Sequence, residues 1–175
     1  PGSGKSYHAI CEKFLPWVRQ GRRLYISVDG IYLDRLALFT GIELSVLEQQ
    51  ITIWKDSVEV LQAFPHVEPG SAVIIDEAQT VFRSMQKVEP GLLRWLETHR
   101  HYGVDILLMS QDFRQMSQGV PRLIEATVKF RKLAFVGFSK KISRQSARES
   151  GRPRSHPCLR RNVLAGGLCL LLQLR

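Results

Sequence analysis

Apolar residues near the start of the chain recur every three to four positions, at Ala9, Ile10, Phe14, Trp17 and Val18. This spacing predicts a helix over residues 5–19, which Pro16 would disturb in its last turn. Short apolar runs further along predict strands, and the later two runs suit strands buried on both faces, as in parallel sheets. These runs cover residues 24–28, 72–76 and 105–110.

The remaining elements follow from the same periodicities and from turn residues. Helices are predicted over residues 33–40, 45–50, 57–64 and 90–100, with a short helical stretch over 121–125. Asp56 is expected to cap the third of these helices. Further strands are predicted over residues 51–54, 127–131 and 133–138. Because strands alternate with helices, we predict an α/β fold with a mostly parallel, doubly wound sheet and helices on both faces.

The character of the chain changes near Lys141. The whole sequence has a net charge of +9, and residues 144–175 contribute +6 of it through seven arginines and one glutamate. We therefore predict a domain over residues 1–141 and an arginine-rich tail over 142–175 outside its packing. The tail could be a linker, a disordered segment or out-of-frame translation. Its apolar run, residues 163–172, is shorter than the roughly 20 residues of a membrane span.

Length and composition set the class of protein. The 175 residues fit one domain, and a hydrophobic fraction of 44% is enough for a buried core. Residues 1–143 are nearly balanced in charge, so a uniformly basic nucleic-acid-binding face is not indicated. The three cysteines have neither metal-ligand nor redox spacing, which favours reduced thiols in a cytosolic protein.

The first six residues, Pro1-Gly2-Ser3-Gly4-Lys5-Ser6, fit the end of the P-loop pattern G-x-x-x-x-G-K-[ST]. Small residues let the backbone amides of Gly2, Ser3, Gly4 and their neighbours wrap a phosphate, and the following helix adds its positive end. Lys5 would reach the β- and γ-phosphates of ATP, and Ser6 would ligate Mg²⁺. The first glycine of the pattern and its preceding strand would lie before Pro1. We therefore expect the first strand to be truncated.

Asp76 ends the second of the three apolar runs, residues 72–76, and Glu77 follows it directly. Asp76 is expected to hold the Mg²⁺ shell, and Glu77 to polarise the attacking water. The alternative is an N-cap aspartate followed by a first-turn glutamate, and both descriptions can hold together.

Three more side chains are candidates for the same site. Gln111 follows the third apolar run, residues 105–110, where it either senses the γ-phosphate or is an ordinary polar residue at a strand end. Arg100 is either an arginine finger for a neighbouring subunit or a helix-terminal cation. Tyr7, in the first helical turn, could stack on the base, although packing suits it better. His99 and His101 lack a third ligand, so a metal site there is not expected.

Several blocks together resemble the N-terminal domain of the zonular occludens toxin (Zot) family, which includes the gene I assembly proteins of filamentous phages. They are residues 1–9 around the P-loop, residues 74–79 with the acidic pair, Trp95 to Ile106 with Thr98-His99-Arg100-His101-Tyr102-Gly103, and Ser110-Gln111-Asp112. The third and fourth blocks are the most specific. The resemblance covers roughly residues 1–141.

The resemblance implies a P-loop NTPase that uses ATP and Mg²⁺ to drive assembly and export of filamentous phage. It also implies a homo-oligomer at the cytoplasmic face of the bacterial inner membrane. Its partners would be coat and assembly proteins and a secretin, with single-stranded DNA handled indirectly. The family's membrane helix and periplasmic part are not recognisable in residues 142–175, and this chain itself is expected to be cytoplasmic.

Two other functions stay open from the sequence. The domain could be a carrier for a toxin that acts on host cell junctions, or a DNA translocase of the FtsK/HerA-like group. The family's toxin segment is not recognisable here, and the near-neutral domain mildly disfavours a DNA-gripping surface. Because a truncated first strand would open the core, we expect weak ATPase activity from these residues alone.

Overall fold

The computed structural model describes residues 5–84, 88–132, 142–147 and 169–174. Its helices are α1 Lys5–Ala9, α2 Leu15–Arg19, α3 Leu33–Thr40, α4 Leu44–Gln50, α5 Ser57–Ala63, α6 Ala78–Val81 and α7 Pro90–Thr98. Its strands are β1 Leu24–Ser27, β2 Ile51–Ile53, β3 Ala72–Ile75, β4 Asp105–Ser110, β5 Ile124–Lys132, β6 Ile142–Ala147 and β7 Cys169–Leu174.

All seven strands form one sheet in the order β2-β1-β3-β4-β7-β5-β6. The strands β2, β1, β3 and β4 are parallel neighbours. β7 runs antiparallel to both β4 and β5, so β5 has the same direction as β4. β6 is antiparallel to β5 at the far side. Parallel strands connected through helices confirm the predicted α/β sheet.

Apolar side chains of the central strands alternate between two cores, one on each face of the sheet, because successive strand residues point to opposite sides. Val60 of α5 and Leu92 and Leu96 of α7 pack on the first face, with Tyr25, Val73, Ile75, Ile106 and Leu108 of the strands. Phe14, Val18 and Leu47 pack on the other face, with Leu24, Ile26, Ala72, Ile74, Leu107 and Met109. Helices therefore cover both faces, as predicted.

The first predicted helix is interrupted in its middle. Lys5–Ala9 and Leu15–Arg19 are α-helical, and Ile10–Phe14 between them forms a π-helical segment. Pro16 follows this segment in the first turn of α2. A proline inside a helix lacks an N–H donor and clashes with the preceding turn, so a widened segment just before it relieves the conflict. The disturbance that Pro16 predicted in the last turn of this helix therefore lies in the middle of the helix, on the N-terminal side of the proline.

Most other elements lie where the patterns predict them. The helix Leu33–Thr40 and the strand Asp105–Ser110 have the predicted bounds. Asp56 caps α5, since its carboxylate accepts hydrogen bonds from the Val58 and Glu59 amides. The helix predicted to reach residue 100 ends at Thr98 and continues as a 3₁₀ turn, His99–Tyr102. The strand predicted over residues 133–138 lies outside the described residues.

Arg22 connects loops at the N-terminal ends of the parallel strands. Its guanidinium donates to the carbonyl oxygens of Gly70, Ser71 and Gly103 at 2.6–3.0 Å, and forms an ion pair with Asp105. It also lies over the Trp17 ring, 5.5 Å from its centroid. This planar group with five donors connects the loops before β3 and β4. No sequence pattern indicated this role.

Two segments of the predicted tail lie in the sheet. β6 pairs with β5, and β7 is inserted between β4 and β5. We predicted that residues 142–175 lie outside the packing of the domain. For these two segments the structure differs from that prediction. The domain boundary at residue 141 itself stays a prediction, as does the truncated first strand, which would precede Pro1. No helix in the part of the chain that the structure describes could cross a membrane.

Candidate active site

The site lies at the edge of the sheet where the parallel strands end. β3 is buried along its whole length, and Asp76 and Glu77 follow it directly at this edge. The Asp76 amide donates to the Ser27 carbonyl at 2.8 Å, which extends the pairing with β1 by one step. The Asp76 carboxylate in turn accepts from the Glu77 amide at 2.8 Å. The sequence predicted that Asp76 and Glu77 lie at the end of a central strand, because a strand made only of apolar residues is buried inside the sheet.

Glu77 has a left-handed backbone, with φ of 48° and ψ of 45°. It is the one non-glycine residue with positive φ among those the structure describes. This conformation costs a non-glycine residue roughly 1–2 kcal/mol, so surrounding contacts must hold it. One such contact is the hydrogen bond from the Thr80 amide to the Glu77 carbonyl at 2.8 Å. A glutamate gives no sequence signal for such a backbone.

Lys5 lies at the start of α1 and is only 5% exposed. Its Nζ is 3.1 Å from Asp76 Oδ1 and 3.1 Å from Glu77 Oε1. Beside it, the Ser6 hydroxyl donates to Asp76 Oδ2 at 3.3 Å. The start of the first helix and the end of β3, about 70 positions apart in the chain, therefore meet at one point. A buried ammonium between two carboxylates is compensated in charge.

Two amide side chains also bind the Glu77 carboxylate. Gln111 donates to Oε1 at 3.0 Å, and Gln79 donates to Oε2. Partial burial raises the pKa of Glu77, but hydrogen bonds from Gln111, Gln79 and Lys5 and the charge of Lys5 outweigh it and lower the pKa below its ordinary value. Glu77 is therefore a carboxylate at neutral pH.

The other candidate residues lie in different surroundings. Arg100 is at the opposite edge of the sheet, just before β4, where it forms an ion pair with Glu125. It is not part of this pocket within one molecule, so a finger role requires another subunit. Tyr7 is half-exposed in α1. Gly2, Ser3 and Gly4 lie outside the described residues.

The oxygen donors at this edge suit magnesium. Mg²⁺ prefers hard oxygen ligands and usually takes only one or two from the protein. The Ser6 hydroxyl and the Asp76 carboxylate converge within 3.3 Å, and both are donors of this kind. Among the residues the structure describes, no three His, Cys, Asp or Glu side chains cluster as a metal site. His99 is buried, and its Nδ1 donates to the Leu96 carbonyl at 2.5 Å.

Gln79 is the residue of this site that the sequence did not single out for a role. It belongs to the block that carries the family resemblance, but no pattern gave its side chain a partner. Its Nε2 binds Glu77 and its Oε1 accepts from the Ser110 hydroxyl at 2.6 Å. One signal could have identified Gln79 from the sequence. It lies two residues after Glu77, in a helix that begins immediately after Glu77.

Comparisons with known proteins show which family the chain resembles. The Zonular occludens toxin (Zot) family matches residues 1–160. The Gene 1 protein of Xanthomonas phage phiLf is 25% identical over 150 residues, which cover 78% of this chain and 34% of that protein. The putative assembly protein ORF301 of Pseudomonas phage Pf3 is 29% identical over 118 residues, 63% of this chain and 33% of that protein. The chain thus spans about a third of each relative.

Solved structures with the same fold include the N-terminal domain of zonular occludens toxin from Neisseria meningitidis. It has a TM-score of 0.51 and 22% identity, covering 78% of this chain and 75% of that one. The genome packaging NTPase B204 of Sulfolobus turreted icosahedral virus 2, in complex with ATP-gammaS, has a TM-score of 0.50 and 20% identity over 71% and 66%. At these identities the likeness concerns the fold alone, and it confirms the predicted P-loop NTPase fold.

Proposed function

The chain belongs to the zonular occludens toxin (Zot) family, and on this premise we propose that it is an ATP-hydrolysing motor domain that drives assembly and export of filamentous phage. One observation carries the proposal. The Lys5 ammonium lies 3.1 Å from carboxylate oxygens of both Asp76 and Glu77. A lysine at the start of a helix and two acids at the end of a buried strand are the groups that phosphoryl transfer requires in one place.

Lys5 and its neighbours would bind the phosphates. The two carboxylates hold the Lys5 ammonium at the end of β3. The β- and γ-phosphates would compete for this ammonium, and the helix start would add its N–H groups. The amides of Gly2, Ser3, Gly4 and Ser6 would complete the cradle. Tyr7 would pack beside it.

Glu77 would orient the attacking water. The lowered pKa keeps its carboxylate ionised, so that it can accept a hydrogen bond from the water. The water oxygen forms the new bond to the γ-phosphorus, and the bond to the β–γ bridging oxygen breaks. ADP and phosphate result, with the water's proton passing to Glu77 or to the phosphate. Gln111, which already contacts Glu77, would detect whether the γ-phosphate is present.

Magnesium would be held by Ser6 and Asp76. When bound, it would neutralise phosphate charge during the transfer.

Arg100 would act between subunits. Arg100 lies at the opposite ends of the strands, so it cannot reach the site of its own molecule. Its side chain is half-exposed and could contact the nucleotide of a neighbouring molecule. This role requires a homo-oligomer. The relatives' names, a phage Gene 1 protein and a putative assembly protein, support work during phage assembly. Coat and assembly proteins, a secretin and, indirectly, single-stranded DNA would be its partners, at the cytoplasmic face of the inner membrane.

The test is phosphate release from ATP under single-turnover conditions, where slow rates are measurable. Lys5→Ala and Glu77→Gln should each lower the rate by about 10²-fold or more, because each removes a group that acts on the transferring phosphoryl. Glu77→Gln should retain ATP binding. Lys55→Ala, at an exposed lysine, is the matched control and should keep the wild-type rate. Unchanged hydrolysis in Lys5→Ala would refute the proposal.

A further inference from the structure

Gln79 connects two parts of the site through one amide group. Its Nε2 donates to Glu77 Oε2, while its Oε1 accepts from the Ser110 hydroxyl at 2.6 Å. Glu77 follows β3 and Ser110 ends β4, so the amide bridges two neighbouring strands at the edge where hydrolysis would occur. Both ends of the amide are occupied, which fixes its orientation.

The Ser110 end of this bridge is a rigid anchor. Ser110 is fully buried, at 0% exposure, and its backbone is paired with Leu170 of β7. Because this hydrogen bond is partly buried, water competes for it less, and the Ser110 hydroxyl holds Gln79 more firmly than an exposed group would. The sheet interior therefore defines the position of the Gln79 side chain.

The Glu77 end needs such a support. The left-handed backbone of Glu77 directs its side chain into the site without help from a regular element. Its Oε1 accepts from Lys5 and Gln111, while its Oε2 accepts from Gln79. Lys5 and Gln111 are the groups that nucleotide would engage, so their contacts to Oε1 would change when ATP binds. The contact from Gln79 to Oε2 involves no group that the phosphates would claim.

We propose that Gln79 is a positioning residue, which holds Glu77 Oε2 against the Ser110 anchor so that Oε1 faces the attacking water. The role rests on the proposed ATPase function and adds a residue to it. Gln79 would not touch the nucleotide. It would act by keeping the carboxylate of Glu77 in the one orientation that aligns the water with the γ-phosphorus.

The test separates turnover from binding. In Gln79→Leu, which removes both hydrogen bonds at similar size, kcat should fall about 10- to 100-fold, while KM for ATP and the melting temperature change little. Ser110→Ala removes the anchor and leaves Gln79 in place, and should lower kcat in the same direction by a smaller factor. Lys55→Ala is the control for substitutions outside the site.

A second variant distinguishes positioning from packing. In Gln79→Glu the introduced carboxylate can still accept from Ser110 but cannot donate to Glu77, so the rate at pH of about 8 should be low. The Glu77 carboxylate beside it raises the pKa of the introduced group, so lowering the pH to about 6 protonates part of that group and restores a donor. The rate of Gln79→Glu relative to Gln79→Leu should then rise.

The outcomes tell the two proposals apart. A wild-type kcat in Gln79→Leu, with Lys5→Ala inactive, overturns the positioning role and leaves the ATPase function standing. A parallel loss of kcat, ATP affinity and melting temperature in Gln79→Leu and Ser110→Ala overturns it as well, because that result describes a structural residue. Full hydrolysis in Lys5→Ala removes the ATPase function and the positioning role together.

Discussion

At the scale of single residues, the contacts of the Glu77 carboxylate have the clearest consequences. Three side chains, from α1, from α6 and from the loop after β4, donate to its two carboxylate oxygens. These contacts outweigh the effect of burial and lower its pKa from the ordinary 4.5. A group whose pKa is lowered by folding contributes stability that is fully present above its unfolded pKa. That contribution is lost as the pH falls through the folded pKa.

We therefore expect Glu77→Gln to flatten the acid side of the stability profile. Between pH of about 7 and about 3, the wild-type urea midpoint should fall more than that of Glu77→Gln, because glutamine does not titrate. Urea unfolding followed by circular dichroism at several pH values measures both. The exposed Glu97 gives the matched control, Glu97→Gln, whose profile should follow the wild type. Equal slopes in Glu77→Gln and wild type would contradict the expectation.

The residues of the site divide by the kind of signal they carry. Lys5, Ser6, Asp76 and Glu77 were predictable because a P-loop and an acidic strand end have fixed chemistry and order. The bridge through Gln79 was not, since it depends on Ser110 of another strand. Arg22 was missed for the same reason: its partners, three backbone carbonyls and the Asp105 carboxylate, are distant in sequence. Side chains that act through tertiary partners leave no local pattern.

At the scale of elements, α5 shows how local chemistry fixes a helix start. The Asp56 carboxylate accepts from the Val58 amide at 2.9 Å and the Glu59 amide at 2.8 Å. The Glu59 carboxylate accepts from the Lys55 amide at 2.8 Å, so both sides of the turn are satisfied.

Asp56→Ala should destabilise the protein by about 1 kcal/mol, because two amides of the first turn lose their acceptor. Asp56→Asn keeps an acceptor oxygen and should stay within a few tenths of a kcal/mol of the wild type. The free energy of unfolding in urea measures the difference. A loss of the same size in Asp56→Asn would show that charge, and not the cap, stabilises α5.

Elements with a regular pattern and clear ends were predictable, and irregular ones were not. The apolar run of β4 and the glycine after α3 fixed their bounds. The π-helical segment Ile10–Phe14 could not be read from spacing, because it shifts the phase of the helix by one residue. Pro16 signalled a disturbance, but not its form or its side.

At the scale of the whole molecule, β7 is the decisive strand. It lies between β4 and β5, so each of its N–H groups faces one of two neighbours. β6 is the outermost described strand on its side, and alternate N–H groups of β6 face away from β5. The two strands should therefore respond differently to the same substitution.

Leu171→Pro and Leu172→Pro should both destabilise the protein by roughly 3 kcal/mol or more, because each removes a ladder bond inside the sheet. Of the matched pair Arg144→Pro and Gln145→Pro in β6, one should be tolerated, since its N–H points outward. Urea unfolding and limited proteolysis would report the four variants. Tolerance of both β7 prolines would exclude β7 from the sheet interior.

The sheet as a whole was only partly predictable. Alternation of strands and helices was sufficient for the parallel part, because right-handed crossovers leave few arrangements. The change in composition near Lys141 instead favoured a tail outside the packing. A short leucine-rich strand in a composition of arginine, serine and proline carries no information about which gap it enters, so the position of β7 required the structure.

The place of β7 also bears on how the chain acquires its shape during synthesis. The ribosome releases β4 and β5 well before the strand that separates them, so the growing polypeptide exposes backbone groups that await a partner. Until β7 emerges, those groups are open to pairing with a neighbouring nascent chain. Slow translation or crowded overexpression should consequently favour inclusion bodies, and co-expressed chaperones should reduce them.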